Sequence, residues 1–316
     1  MGVGLRSGDG VDAGDPCYQP RDGATDTAGH GGVLTGMSTQ RQPTFSRGLV
    51  YLALALAGLS TLSAFVWVFL ISLKTTTEFL TTSPFSVPQA PSFDNYRSAW
   101  ATARMGYYFG NSLLAATVGA GVSVLISAFA AYVLARVVFP LRETIARYLL
   151  VGYMVPLMLT FVPLFFMMSK MGLASGLLPL VLLYVASGIP FNTFVLRGFF
   201  ASLPGEMEES AAIDGASPLR TFWQIMMPLA WPGLVSAFLL NFVSLWNEFF
   251  LALLFLQKES ATLPLGLFYM AQRAEYSAQW TELFAGILLA SVPALVIFAL
   301  LQDHITRGIT QGAVKG

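Results

Sequence analysis

The chain has 316 residues, of which 55% are hydrophobic and 11% are charged, and its 17 basic and 17 acidic residues give a formal net charge of zero. Soluble domains carry about 25% charged residues, so the composition indicates an integral membrane protein. The balanced charge provides no basic surface for nucleic acid, and one cysteine with two histidines leaves no cluster that has the spacing of metal ligands.

The first 48 residues are rich in Gly, Asp, Ser and Thr. Such a segment buries too little apolar surface to offset the entropy of ordering, so we predict a disordered cytoplasmic tail over residues 1–48. The tail does not resemble a cleavable signal peptide, because the apolar run after it is long enough to remain as an anchor. Met37 begins a more typical leader, which raises the hypothesis that translation starts there; N-terminal sequencing of the native protein tests it.

Six apolar stretches are long enough for a helix that crosses a hydrocarbon core of about 30 Å, which takes about 20 residues. They are residues 49–73, 111–135, 148–168, 177–195, 234–256 and 283–301. Their continuous apolar character predicts an all-α membrane protein with six transmembrane helices.

Helix breakers interrupt two of these stretches, Pro156 and Pro163 in the third and Gly188 and Pro190 in the fourth. Lipid tolerates a broken helix only where neighbouring helices or a cavity satisfy the freed carbonyl groups. We therefore expect both helices to face the interior of the bundle.

The distribution of Lys and Arg predicts the topology. With the N-terminus inside, the cytoplasmic flanks hold more of these residues than the outer connections, which favours both termini in the cytoplasm. This topology also places the connection between the fourth and fifth spans in the cytoplasm. The basic residues predicted on the outer side are Lys74, Arg97, Arg104, Lys170, Lys258 and Arg273.

That cytoplasmic connection has the pattern of a helix-turn-helix elbow. Residues 204–214 predict a short helix whose early carboxylates suit the positive end of the helix dipole. Gly215 is expected to end it in the left-handed conformation, and Ser217 and Pro218 provide an N-cap and a first-turn proline for a second helix. The early carboxylates are Glu206, Glu208 and Glu209.

The order Glu-x-Ala, three residues, Gly, nine residues, Ile-x-x-Pro resembles the EAA loop of the permease subunits of bacterial ABC importers. It lies at about residues 202–231, with Ser210 and Met227 where the family usually has Ala and Leu. The residues that carry it are Glu209, Ala211, Gly215, Ile225 and Pro228. The alternative is a helical hairpin that lies at the membrane interface.

The resemblance implies that the first elbow helix is a coupling helix held in a cleft of a separate ATP-hydrolysing subunit. We expect Glu209 to meet an arginine there, and the small residues Ala211 and Ala212 to let the partner's backbone approach. The predicted coupling residues are Glu209, Ala211, Ala212, Asp214, Gly215, Ile225 and Pro228.

Further short motifs resemble the carbohydrate-uptake branch of this family, and most closely the permease that pairs with a larger, dissimilar permease in maltose-type importers. They include Asn111-Ser112, Trp246-Asn247-Glu248-Phe249 and Thr262-Leu263-Pro264-Leu265-Gly266. The resemblance covers residues 49–316. It implies a bacterial cell membrane location, a second permease chain, ATPase subunits and an extracytoplasmic binding protein that delivers a di- or oligosaccharide. A permease for a polyol, a glycerophosphodiester or an amino acid, and a membrane scaffold without transport, remain alternatives.

The sequence contains no nucleotide-binding loop. Such a loop needs Gly-Lys-Ser or Gly-Lys-Thr, yet the one Lys followed by a hydroxyl residue, Lys74, is preceded by Leu73. The sequence also lacks a Gly-x-Ser-x-Gly elbow. We therefore predict that the chain is not an enzyme and binds no cofactor, and that ATP and Mg are bound by the partner ATPase.

Polar residues within the apolar stretches are costly in lipid and are candidates for function. Asn241, Ser244, Asn247 and Glu248 are spaced three to four apart, which predicts one helical face. This face lines a substrate pathway or joins helices through hydrogen bonds. Asn192, after Gly188 and Pro190, lines a cavity or, as we favour, caps a broken helix.

The last predicted outer loop mixes aromatic and amide side chains that suit stacking on sugars and hydrogen bonding to them. Tyr and Trp also occur at membrane interfaces without any ligand. The resemblance implies that this loop reaches the binding protein and helps to displace the sugar, with Gln272 and Tyr276 as the candidate residues. The mixed residues are Tyr269, Gln272, Tyr276, Gln279 and Trp280.

Overall fold

A computed structural model describes residues 44–313, and within that part every regular element is helical. Predictions for residues 1–43, including a start at Met37, lie outside the described residues. The α-helices are α1 (Thr44–Ser72), α2 (Thr76–Thr81), α3 (Asp94–Arg97), α4 (Met105–Arg136), α5 (Arg142–Met154), α6 (Phe161–Lys170), α7 (Leu177–Ser202), α8 (Glu206–Ile213), α9 (Pro218–Thr221), α10 (Met227–Leu229), α11 (Trp231–Trp246), α12 (Phe250–Phe255), α13 (Leu263–Ser277) and α14 (Trp280–Ala313). Short π-helical or 3₁₀ turns occupy Ser98–Thr102, Leu157–Thr160, Phe222–Met226 and Lys258–Ser260.

The described helices make this an all-α membrane protein. Four of them, in α1, α4, α7 and α14, are long and apolar enough to cross a membrane, and the number rises to six if each of two bent pairs is one span. The first pair joins α5 to Leu157–Lys170 at 87°, and the second joins Pro218–Leu229 to α11 at 74°. Helix α1 begins at Thr44, inside the predicted tail.

Helix breakers were predicted to place the third and fourth spans inside the bundle. The fourth packs there, and in the third Pro156 and Leu164 line a cavity between the third span, α7 and α11, while Met168 is buried. Helix α7 continues through Pro190 and buries a long face, so it is not broken there. The third span bends sharply before Pro156, and none of the residues of α5 is buried within this chain. An internal proline removes one helical hydrogen bond. Helix α7 stays continuous because it packs against α4, whereas the third span breaks where Pro156 lines the cavity.

The fifth span was predicted to be continuous over residues 234–256, and this is wrong. Helix α11 ends at Trp246 and a new helix, α12, begins at Phe250. The Glu248 carboxylate accepts hydrogen bonds from the amides of Leu251 (2.7 Å) and Ala252 (3.1 Å). A carboxylate at the start of a helix satisfies amides that lack a helical partner. This cap stabilises the break, which hydrophobic content alone did not reveal.

Helices α4 and α7 form the most extensive helix pair in the structure. Small residues let the two backbones approach closely, as is common between membrane helices. A Cβ at Gly119 of α4 would lie 2.9 Å from Tyr184 Cβ, and a Cβ at Gly188 of α7 would lie 2.5 Å from Ser123 Oγ and 2.6 Å from Asn241 Nδ2. Gly188 is therefore the point where α4, α7 and α11 meet.

The substitution Gly188→Ala should destabilise the protein by about 1–3 kcal/mol, because the added methyl group overpacks a rigid crossing. Gly198→Ala in the same helix is the matched control, since nothing lies within 4 Å of its Cβ and alanine favours a helix by up to about 1 kcal/mol. Thermal unfolding of both variants in detergent measures the difference. Equal midpoints would contradict the tight crossing at Gly188.

Candidate functional site

The elbow between the fourth and fifth spans has the predicted geometry. Helix α8 ends where Gly215 adopts φ 73°, and the amide of Ala216 donates to the carbonyl of Ala211 at 2.9 Å, which is a typical left-handed helix ending. The next helix begins with Pro218, and the Ser217 hydroxyl accepts from the amide of Arg220 at 3.4 Å. These turns hold the two helices of the elbow at a defined angle.

Most of the predicted coupling residues lie on the surface of the elbow. Ala211 does not: its side chain is 5% exposed and packs inside this chain, so the prediction that a partner approaches it closely is wrong. Ile225 is half-buried. The exposed members are Glu209, Ala212, Asp214, Gly215 and Pro228.

Large apolar side chains are exposed beside them, and our sequence analysis did not identify these as surface residues. Their exposed fractions range from 47% for Met207 to 86% for Ile213. A hydrophobic residue in a short polar connection is the signal that could have found them. Between residues 206 and 226, the exposed large apolar residues are Met207, Ile213, Leu219 and Trp223.

A bracket of three side chains, Tyr132, Arg136 and Glu208, joins the elbow to the end of α4. The Glu208 carboxylate accepts from the Tyr132 hydroxyl at 2.8 Å and pairs with Arg136 Nε at 3.2 Å. Arg136 also donates to the carbonyl of Leu203, just before the elbow. Both charged side chains are mostly buried, with 17% and 21% exposed. No local pattern reveals this pair, because its members are far apart in the chain.

The two neighbouring glutamates of α8 therefore differ in their surroundings. Glu208 is held by α4, whereas Glu209 is exposed and pairs with no side chain in the described part of the protein. Of these two neighbours, Glu208 is directed to its own chain, whereas Glu209 is exposed like Glu206 and Asp214.

A cavity of about 770 Å³ lies between the third span, α7 and α11, within the range of roughly 300–1,000 Å³ that is usual for ligand sites. Tyr153 and Phe191 form an aromatic pair in its wall, with ring centres 5.4 Å apart. Its polar lining residues are Thr160, Tyr184, Ser187, Asn241, Ser244 and Glu248. Such a mixture of aromatic rings, hydroxyl groups and amides can stack on and hydrogen-bond to a polyhydroxylated solute.

Three of the predicted pathway residues line this cavity: Asn241, Ser244 and Glu248. Asn247 does not line it, because the helix ends there and its amide donates to the carbonyl of Val243 at 2.8 Å. The four residues thus do not share one helical face. Ser244 is exposed to the cavity, whereas Glu248 uses both carboxylate oxygens to hold Tyr184 (2.9 Å) and the start of α12.

Asn192 neither lines a cavity wall nor caps a helix end. It is fully buried in the continuous helix α7, and its amide donates to Ser123 Oγ of α4 at 3.0 Å. It joins two helices near Gly188, which corrects the capping role that the sequence suggested. Such interhelical bonds contribute about 0.6 kcal/mol on average in membranes.

The predicted last outer loop is largely a helix. Gln272 and Tyr276 lie in α13 (Leu263–Ser277), and both are exposed. Neither lines the large cavity. The helix could have been predicted from two signals, the proline at the second position of α13 and the apolar periodicity that follows it.

Removal of the Glu208 side chain should loosen the elbow. Glu208→Ala loses charge-assisted contacts that contribute about 1–3 kcal/mol, and a loss of about 1.4 kcal/mol corresponds to roughly tenfold faster local amide exchange. Hydrogen exchange of Glu206–Ile213 in the purified protein measures this. Glu206→Ala, at an exposed position of the same helix, should leave exchange nearly unchanged. Equal rates in the two variants would show that the bracket does not hold the elbow.

Residues 123–311 match the family model described as "Binding-protein-dependent transport system inner membrane component". The chain is 39% identical over 251 residues to the diacetylchitobiose uptake system permease protein NgcG of Streptomyces coelicolor, a match that covers 79% of this chain and 83% of that protein.

Other relatives have similar coverage. The chain is 32% identical to the sulfoquinovosyl glycerol transport system permease protein SmoH of Agrobacterium fabrum, over 79% of this chain and 88% of that protein. It is 31% identical to the trehalose transport system permease protein SugB of Mycobacterium tuberculosis, over 79% of this chain and 91% of that protein. The fold is similar to a chain in the crystal structure of a bacterial ABC transporter involved in the import of the acidic polysaccharide alginate, with a TM-score of 0.68 and 21% identity over 83% of this chain and 98% of that one.

Proposed function

The chain belongs to the family of binding-protein-dependent transport system inner membrane components, and from this membership we propose that it is the permease subunit of an ATP-driven importer for a sugar. The observation that carries the proposal is the exposed elbow at one end of a helical bundle whose interior holds a cavity with polar and aromatic walls. The names of three relatives, which specify diacetylchitobiose, sulfoquinovosyl glycerol and trehalose, support a di- or oligosaccharide or a related glycoside as the solute.

The remaining components of the importer are proposed as separate chains. The elbow is the docking point for an ATPase subunit that binds ATP and Mg, so this chain itself is no enzyme. A second permease completes the pathway, since α5 has no buried residue and its last residues, Gly152, Tyr153 and Met154, line the large cavity. An extracytoplasmic binding protein delivers the sugar. The subunit lies in the bacterial cell membrane with both termini in the cytoplasm.

The mechanism that fits this arrangement is alternating access. Closure of the ATPase subunits on ATP moves the elbow, and the bracket carries that movement to α4 through Glu208 and Arg136. Helix α4 packs tightly on α7, whose residues Tyr184 and Ser187 line the cavity. The wall of the cavity therefore shifts with the elbow, which opens the cavity alternately to the two sides of the membrane.

Within the cavity we propose that Ser244 and Asn241 form hydrogen bonds with sugar hydroxyl groups, whereas Glu248 positions Tyr184. Asn192 acts indirectly through the α4–α7 contact, and Asn247 remains a candidate at the exposed end of α11. Gln272 and Tyr276, on the exposed face of α13, are proposed to contact the binding protein.

Uptake assays test the function. A strain without the gene is expected to lose uptake of one class in a labelled panel of mono-, di- and oligosaccharides, polyols and glycerophosphodiesters, and the restored gene should rescue it. Replacement of Ser244 by Leu should lower the rescued uptake at least severalfold, because the larger apolar side chain fills the cavity and removes a hydroxyl group. Phe194→Leu, at an exposed position of α7 outside the cavity lining, is the control. If only the uptake of a polyol were lost, the solute would be a polyol and not a sugar. If no uptake in the whole panel were lost, the proposal that the solute is a sugar would be contradicted.

The coupling role of the elbow has its own test. Glu209→Lys should abolish transport and reduce the amount of ATPase that co-purifies, since a reversed charge repels the arginine expected on the partner. Insertion into the membrane should stay normal. Glu206→Lys makes the same charge change at another exposed position of α8 and is expected to have a small effect. A Glu209→Lys variant that still binds the ATPase and transports would refute this contact.

A further inference from the structure

The end of α4 that lies opposite the bracket contains a second, smaller cavity. Helix α4 has 32 residues, and at about 1.5 Å per residue it separates its two ends by about 48 Å. The cavity, which we call the basic hollow, has a volume of about 310 Å³ and lies between the start of α4, the turn Lys258–Ser260 and α13. If the elbow faces the cytoplasm, the basic hollow faces the extracytoplasmic side.

Three cations from separate segments of the chain line the basic hollow, together with one acid, Glu259. Arg273 Nη2 pairs with Glu282 Oε2 at 2.8 Å, and the nearly buried Glu282 also accepts from Ser98 Oγ at 2.8 Å. Arg273 is thus already neutralised. The other cations, Arg104 and Lys258, are exposed and form no ion pair with any described residue.

The position of Arg104 is determined by the backbone. It adopts φ 62° and ψ 22° just before α4 begins, a left-handed conformation that is uncommon for a residue other than glycine. Its guanidinium group lies over the ring of Tyr107, 5.2 Å from the centroid. This cation–π contact reduces the freedom of the side chain without neutralising its charge.

The wall of the basic hollow is tightly packed. The ring of Tyr108, 2% exposed, lies so close to α13 that a Cβ at Gly266 would overlap its Cδ2 atom. Tyr269 completes the aromatic part of the lining. The two free cations therefore border a preformed depression and are not isolated charges on a flexible loop.

We propose that the basic hollow receives an acidic side chain of the extracytoplasmic binding protein when that protein docks, with Arg104 and Lys258 as the groups that meet the carboxylate. The inference rests on the proposed function, because the family depends on a binding protein that must reach this end of the bundle. A volume of 310 Å³ admits an aspartate or glutamate side chain, and a guanidinium group offers a carboxylate two parallel hydrogen bonds. Exposed charges of this kind chiefly accelerate and orient association.

The test uses the complete transporter, reconstituted in nanodiscs of neutral lipid, with its own binding protein titrated in. The readout is the concentration of binding protein that gives half-maximal stimulation of ATP hydrolysis. In the double variant Arg104→Gln, Lys258→Gln this concentration should rise roughly threefold to tenfold, which is the scale of two exposed ion pairs. The maximal rate should stay unchanged. The dependence on salt should become shallower, since added ions screen the lost charges.

Matched variants distinguish an effect of the basic hollow from an effect of net charge. Arg97→Gln with Lys170→Gln removes the same charge at two exposed positions predicted on the same side but outside the basic hollow, and it should leave half-saturation nearly unchanged. Arg104→Lys keeps the charge but loses the two parallel hydrogen bonds, so its half-saturation should rise less than that of Arg104→Gln. This variant and Lys258→Gln alone remain informative if the double variant assembles poorly.

Several outcomes would overturn the proposal. One is an unchanged half-saturating concentration in every variant that lacks Arg104 or Lys258. Another is an equal rise in the control variant Arg97→Gln, Lys170→Gln. The others are a change of solute selectivity and an effect that appears only with anionic lipid. The last two would assign the basic hollow to the solute or to a lipid headgroup. Failure of the unaltered transporter to respond to its binding protein would instead contradict the proposed function, so the two failures are distinguishable.

Discussion

Helices α4 and α7 approach so closely that Gly119 and Gly188 have no space for a methyl group. Lipid chains are as apolar as leucine, so the hydrophobic effect does not drive two membrane helices together. Close packing and hydrogen bonds must do so, and this pair has both, since Asn192 donates to Ser123 and Ser127 Oγ donates to the carbonyl of Ile189 at 3.2 Å. The cavity wall, the polar crossing with α11 and the support of the elbow all depend on this contact.

Helix α4 links the functional regions physically. Its last turns provide Tyr132 and Arg136 to the bracket, its middle provides Ser123 to the crossing near the large cavity, and its first turn provides Tyr108 to the basic hollow. A long helix with satisfied backbone hydrogen bonds moves largely as a unit. Small displacements at the elbow are therefore expected to reach both cavities through one element, without any rearrangement of a core.

Sequence reasoning predicted the features that depend on local chemistry. The elbow turn at Gly215 and the cap at Ser217 follow from conformational preferences of single residues, and four of the six predicted spans, found as long apolar helices, follow from composition. The incorrect predictions concern features determined by contacts between distant segments. Ala211 is buried by its own chain, Asn192 pairs with α4, and α7 stays continuous at Pro190 because a neighbour supports it. Glu248 was recognised as polar, but its role as the cap of α12 depends on a break that hydropathy does not reveal.

Two neighbouring glutamates of α8 fit the proposal that this short helix both docks on a partner and transmits its movement. A docking helix that were free at both ends would move without moving the bundle, because the connecting chain on each side can absorb the displacement. Glu208 prevents this by its bonds to α4, and its neighbour Glu209 is left exposed on the same helix. Successive positions on a helix are about 100° apart, so adjacent carboxylates must differ in direction. If the elbow docks as proposed, the pair separates the contact with the partner from the contact with the membrane domain, and a change at either position should affect coupling by a different route.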